Sequence, residues 1–145
     1  MSIERAFTLR AFQQDDAEAV VALWRLCGLV RPWNDPHKDI ARKLSEQPEL
    51  FLVGCIGAEV VSTAMVGFDG HRGWVYYLAV APGMQRRSLG RAMMERAEQL
   101  LIARGCPKIS LMVRSENSGV LTFYRELGYA EDKVSVLGKR LIPDI

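Results

Sequence analysis

Leu78-Ala79-Val80-Ala81-Pro82-Gly83-Met84-Gln85-Arg86-Arg87-Ser88-Leu89-Gly90-Arg91-Ala92 changes periodicity midway. An apolar, β-prone run feeds a short Pro-Gly loop, and the loop opens directly into a helix that runs to about residue 104. The first N–H groups of a helix lack internal partners, and the macrodipole places partial positive charge there. Phosphate binds well at such an end. Arg86, Arg87 and Arg91 add full charges, and Gly90 permits close backbone approach. The segment therefore predicts a site for a polyanion. A plain solvated basic helix start is the alternative on charge and glycine content alone.

Upstream of this segment, residues 74–80 form a dense β-branched and aromatic strand, the best candidate for the sheet centre. Two more strands precede it, 50–56 and 60–68. They are separated by the turn Gly57-Ala58-Glu59, and the turn Asp69-Gly70-His71-Arg72-Gly73 leads into residue 74. Earlier still, residues 7–12 alternate as a strand. Asp15 and Glu18 make a capping-box-like start to a helix that carries Ala17, Val20, Val21, Trp24 and Cys27 on one face and ends at Gly28. Asp35 and Pro36 look like the N-cap and first residue of a second helix, running to about residue 47.

Downstream, residues 109–113 read as a strand, 118–127 as a helix closed by Gly128, and 134–141 as a last strand. The order predicts an α/β fold: an antiparallel meander, then a strand–helix–strand crossover, giving a mixed sheet with helices on its faces.

The chain has 145 residues, 49% hydrophobic and 25% charged. That is ordinary globular composition for a single domain over 1–145. A net charge of +2 gives no global argument for nucleic acid. Cys27, Cys55 and Cys106 are odd in number and lack metal-type spacing, as buried small hydrophobes in a reducing cytoplasm would be. No apolar run approaches the ~20 residues that cross a bilayer. A soluble cytoplasmic protein with no membrane partner is expected.

The segment Gln85-Arg86-Arg87-Ser88-Leu89-Gly90 resembles the acyl-CoA loop of the GNAT N-acetyltransferase superfamily, Gln/Arg-x-x-Gly-x-Gly/Ala, with Ser88 where the family usually has glycine. The stretch from Asn117 through Phe123-Tyr124 to Gly128-Tyr129 is similar to the family's Asn-x-x-Ala-x-x-Phe-Tyr-x-x-x-Gly-Phe segment. The two matches stand in the family's order. Leu29-Val30-Arg31-Pro32-Trp33-Asn34-Asp35-Pro36 and Ala103-Arg104-Gly105-Cys106-Pro107-Lys108 further resemble the YpeA-type bacterial acetyltransferases, as does the 69–73 turn.

The resemblance implies a mostly antiparallel central sheet of six to seven strands flanked by about four helices. It implies an acetyl-CoA-dependent N-acetyltransferase acting on an amine-bearing small molecule or a protein amine, with no metal. Leu78, Ala79 and Val80 would hold the pantetheine arm through backbone bonds. The segment Gln85, Arg86, Arg87, Ser88, Leu89 and Gly90, with Arg91, would cradle the diphosphate, and Asn117 would hold the cofactor near the splay of the sheet. Tyr124 would donate a proton to the departing thiolate; a core aromatic beside Phe123 is the alternative.

The resemblance further implies that acceptor recognition would fall to the loop Arg31, Trp33, Asn34 and Asp35, with Tyr76 on the central strand. Asp35 has a second reading as an N-cap. No carboxylate is singled out as general base among Glu59, Asp69 and Glu116, and proton loss through ordered water is equally open. A non-catalytic acyl-CoA sensor of the same fold is the competing function, and a nucleic-acid patch at Arg86, Arg87 and Arg91 a more remote one. Monomer and homodimer are both compatible with the sequence.

Overall fold

The meander forms where residue type calls for it. In the computed structural model, which describes residues 7–85 and 88–144, five strands make one sheet in the order β1-β2-β3-β4-β5. They are β1 (Phe7–Ala11), β2 (Phe51–Ile56), β3 (Glu59–Phe68), β4 (Gly73–Val80) and β5 (Ile109–Leu111). The first four pair antiparallel, and β5 joins β4 in parallel. The helices are α1 (Ala17–Leu26), α2 (Pro36–Leu44), α3 (Leu89–Ala103) and α4 (Ser118–Glu126).

β2 is buried for five consecutive residues because both sheet faces are covered. Its side chains alternate between two cores. Phe51, Val53 and Cys55 join Phe12, Val20, Val21, Trp24 and Ile40 on the face under α1 and α2. Leu52 joins Ala64, Val66, Val75, Met93, Met94, Ala97, Leu101 and Tyr124 on the face under α3 and α4. The buried stripe of α3, at Leu89, Met93, Met94, Ala97 and Leu101, has helical spacing.

Four expectations are corrected. The sheet has five strands among the described residues, not six or seven. Residues 134–141 form no strand; Val134, Val136, Leu137 and Leu141 are all at least 65% exposed, so alternation there had no sheet face to pack against. The sheet centre is β3 rather than β4, because β3 has long antiparallel neighbours on both sides whereas β4 has only the three-residue β5 on one. The first helix also starts later, at Ala17, after a 3-10 turn (Gln14–Asp16) whose capping box pairs Gln13 with Asp16.

One local device shapes the cleft. Thr63 pairs with Ala79 and Met65 with Tyr76, so two β4 residues, Tyr77 and Leu78, face a single β3 residue. This is a β-bulge, which bends and twists its strand. Tyr77 sits there at φ 53°, a left-handed conformation that costs an aromatic residue about 1–3 kcal/mol. Surrounding contacts hold it. Its ring stacks on Trp24 at 3.7 Å, and its carbonyl accepts from Thr63 Oγ1 at 2.8 Å. Thr63 Oγ1 in turn accepts from Trp24 Nε1 at 2.9 Å. The parallel pairing of β4 with β5 stops at Val75, two residues before the bulge. Past that point the β4 edge facing β5 has no strand partner among the described residues.

Candidate active site

The splay between β4 and β5 opens into a cleft of about 760 Å³. β4 contributes Val75, Tyr76, Tyr77 and Leu78, and the β5 side contributes Leu111, Met112, Val113 and Arg114. α4 brings Asn117, Val120 and Tyr124, and the α1–α2 loop brings Arg31, Trp33 and Asn34. Of the sequence-predicted residues the cleft thus gathers Arg31, Trp33, Asn34, Tyr76, Leu78, Asn117 and Tyr124, whereas Ala79, Val80, Gln85, Ser88, Leu89, Gly90 and Arg91 do not line it.

Tyr124 is the buried residue of α4. Its ring makes edge contacts with Phe123 at 5.0 Å and with Tyr129 at 5.6 Å. Its hydroxyl has no hydrogen-bond partner among the described residues, yet no buried side-chain oxygen or nitrogen is left unpaired. The oxygen therefore reaches the cleft rather than the core. Burial pushes its pKa up to about 12, because a phenolate would lose solvation there. The group stays a proton donor through the whole neutral range.

Asn117 is the N-cap of α4, where its Oδ1 accepts from the Val120 N–H at 3.3 Å. It caps and lines the cleft at once. Its amide nitrogen has no partner among the described residues.

The phosphate-binding candidate is the start of α3. Ser88 is its N-cap at φ 64°, ψ 16°, and makes no side-chain capping bond. The left-handed backbone explains why the related pattern favours glycine here. The first-turn N–H groups of this 15-residue helix thus have no side-chain cap, as an anion site at a helix end requires. Gln85 is exposed and donates from Nε2 to the Val80 carbonyl at 3.2 Å. Arg86 and Arg87 lie outside the described residues. Arg91 is exposed.

Leu89 and Ala79 are core residues, so any part they take in binding is through the backbone. Gly90 has a packing reason of its own: a Cβ there would lie 3.0 Å from the Phe123 ring. The glycine lets α3 and α4 approach, and so helps seat the Phe123-Tyr124 pair.

Of the residues expected on the acceptor side, Trp33 and Tyr76 present large exposed surfaces, 52% and 45%. Asp35 does not line the cleft. Its Oδ1 accepts from the N–H groups of His37 and Lys38 at 2.9 and 3.3 Å, the N-cap arrangement. Glu59, Asp69 and Glu116 also lie off the cleft. Asp69 is engaged by the N–H groups of His71 and Arg72 in its turn.

The carboxylates that do line it are Asp39 and Glu46 on the α2 side. Sequence inspection missed Asp39, and with it Arg42 and the hydroxyl of Tyr77. Asp39 falls at an ordinary polar position of an amphipathic helix, and nothing local marks it. Only the docking of α2 against β4 brings its Oδ2 within 2.7 Å of the Tyr77 hydroxyl. Cys27 lines the cleft as well. Burial raises its pKa and its thiol points at the Val80 carbonyl, 3.4 Å away, so it is not an activated nucleophile. Among the described residues no group of three or more His, Cys, Asp or Glu could hold a metal ion, and no helix is long and apolar enough to cross a membrane.

Comparison with known proteins agrees with this fold. The model of the "Acetyltransferase (GNAT) family" matches residues 10–129. An acetyltransferase of Sodalis glossinidius is 53% identical over 137 residues, covering 94% of this chain and 96% of the relative. One from Pectobacterium atrosepticum is 52% identical over 136 residues, with the same coverage. Among solved structures, the ribosomal-protein-S18-alanine N-acetyltransferase of Escherichia coli superposes with a TM-score of 0.73 at 22% identity, over 88% of this chain and 79% of that one. An aminoglycoside acetyltransferase from an uncultured soil metagenomic sample, in complex with sisomicin, gives 0.76 at 18%, over 97% and 100%. At such identities the two structures speak for the fold.

Proposed function

The chain belongs to the acetyltransferase (GNAT) family, and from that premise we propose that it moves an acetyl group from acetyl-CoA to a primary amine by direct attack in a ternary complex. The observation that carries this reading is the Tyr124 hydroxyl, a phenol whose pKa burial raises and which opens on the cleft with no hydrogen-bond partner among the described residues.

Acetyl-CoA supplies an acyl carbon activated as a thioester. The chain's own residues do the rest. The uncapped first-turn amides of α3, with the basic residues before it, hold the diphosphate. The unpaired β4 edge after Val75 offers backbone groups to the pantetheine arm in the manner of an added strand. The amine loses its proton to ordered water and its nitrogen attacks the thioester carbonyl; as the C–S bond breaks, Tyr124 gives its proton to the departing sulfur and regains one from the newly bonded nitrogen through solvent. Juxtaposition of amine and thioester supplies much of the rate. The raised pKa of Cys27 speaks against a covalent acyl-cysteine route. The acceptor is a small-molecule amine or an exposed protein amine. The three free cysteines suit a reducing cytoplasm.

The test is to mix purified protein with acetyl-CoA and a broad amine panel and to follow release of free thiol. Amine-dependent release is expected. Calorimetric binding of acetyl-CoA without release across the panel would instead favour an acyl-CoA sensor of the same fold.

A further inference from the structure

Three groups meet beneath the bulge of β4, and two of them, Thr63 and Trp24, are 0% exposed. An indole N–H can only donate and a carbonyl can only accept. Trp24 Nε1 donates to Thr63 Oγ1 at 2.9 Å, so the single hydroxyl proton of Thr63 is left to donate to the Tyr77 carbonyl, 2.8 Å away. Both roles of the hydroxyl are filled and its rotor is fixed. Valine would occupy the same volume without the cost of burying a hydroxyl, so packing by itself does not call for threonine here.

Tyr77 has two further anchors, and both act on its side chain. The ring stacks on Trp24 at 3.7 Å, and the hydroxyl donates to Asp39 Oδ2 at 2.7 Å. The peptide between Tyr77 and Leu78 can turn about its flanking bonds without moving either side chain, because only those bonds are soft. The Thr63 hydroxyl grips that peptide by its carbonyl. The peptide is trans and planar, so the Leu78 N–H points opposite to the Tyr77 carbonyl, away from Thr63. Leu78 lines the cleft, at a level where β4 has no strand partner on its β5 side among the described residues.

We propose that Thr63 is a positioning residue: its hydroxyl, oriented by Trp24, sets the Tyr77–Leu78 peptide so that the Leu78 N–H faces the cleft and bonds the acyl end of the pantetheine arm. The inference rests on the reading of β4 as the edge that holds that arm, and extends it by naming the buried group that aims the donor. Tyr77 at φ 53° is strained backbone of the kind that persists where its surroundings over-determine it. Thr63 supplies the backbone share of that constraint.

Calorimetry on the full-length protein compares acetyl-CoA with its phosphorylated ADP headgroup, which lacks the pantetheine arm and reports the diphosphate site alone. In Thr63→Val the affinity for acetyl-CoA should fall about threefold to tenfold, the scale of one lost hydrogen bond, while headgroup affinity holds within about twofold. Thr63→Ser keeps the hydroxyl and should leave both affinities within about twofold of wild type. An acetyl-CoA affinity unchanged in Thr63→Val, an equal loss for both probes, or a loss in Thr63→Ser as large as in Thr63→Val overturns the inference.

Amide hydrogen exchange of the wild type, read by NMR, requires no variant to fold. The Leu78 N–H should exchange freely in the unliganded protein and be slowed more than about tenfold by saturating acetyl-CoA, but not by the headgroup. A Leu78 amide protected without ligand, or left unprotected by acetyl-CoA, overturns the inference. Neither measurement involves turnover. The expected pattern without thiol release across the amine panel therefore supports the inference and removes the transferase reading, whereas a failed pattern in a protein that does release thiol removes the inference alone.

Discussion

Replacing Tyr124 by phenylalanine separates chemistry from architecture more cleanly than any other single change in this protein. The substitution removes one oxygen and leaves the ring. The edge contacts at 5.0 and 5.6 Å remain, each worth about 0.5–1.5 kcal/mol beyond area burial. The hydroxyl has no hydrogen-bond partner among the described residues, so its loss orphans no donor or acceptor. Stability should therefore change by no more than about 0.5 kcal/mol, whereas Tyr124→Ala would cost about 3–5 kcal/mol and confuse the result.

If the phenol protonates the departing sulfur, turnover should fall by roughly 10²–10⁴-fold, equivalent to about 2.7–5.4 kcal/mol in the barrier. Acetyl-CoA affinity should hold within twofold. The assay is single-turnover thiol release at saturating acetyl-CoA and amine, so that product release cannot mask chemistry. Denaturant unfolding and calorimetry run alongside. An unchanged single-turnover rate with unchanged stability would refute the assignment of Tyr124 as the acid.

Ser88→Gly should relieve the left-handed strain of an L-residue, about 1–2 kcal/mol, against about 0.4–1 kcal/mol of added unfolded-state entropy. A small net gain in urea unfolding is expected, together with acetyl-CoA affinity equal to or better than wild type. Gly90→Val should destabilise by about 1–3 kcal/mol by overpacking, because the Phe123 ring already lies 3.0 Å from the site of a Cβ; denaturant unfolding checks it.

Burial raises the phenol pKa of Tyr124 to about 12 and that of Tyr77 and Tyr129 as well. Stability should be fully present below about pH 10 and fall as pH rises through the folded-state values. At the acid end, Arg10 holds the Asp16 carboxyl below its usual range. That contribution is present above the ordinary Asp value and disappears as pH falls through the lowered one. Tm measured across pH reads both limbs.

The meander, the crossover helix and the two motif segments were legible in the residues because each rests on local physics. Alternation and β-branching mark β2 to β4, Pro82-Gly83 ends a strand, and Gly28, Gly105 and Gly128 close helices with left-handed backbone. The capping role of Asp35 belongs to the same class, since a cap contacts residues two or three positions on. The alternation at 134–141 misled for the converse reason. A period of two says that a strand is possible there, while a strand needs a partner edge and a buried face.

The carboxylate side of the cleft lay beyond the sequence. Asp39, Arg42, Tyr77 and Asp144 are brought together across separations of up to 102 residues. No local pattern marks them, because their contacts follow from how α2 docks on β4 and where the tail comes to rest. Local order is written in short-range sterics, hydrogen bonding and hydrophobic period, which neighbouring residues carry among themselves. The position of one carboxylate relative to a hydroxyl and a guanidinium belongs to packing, and packing exists once the whole chain has folded.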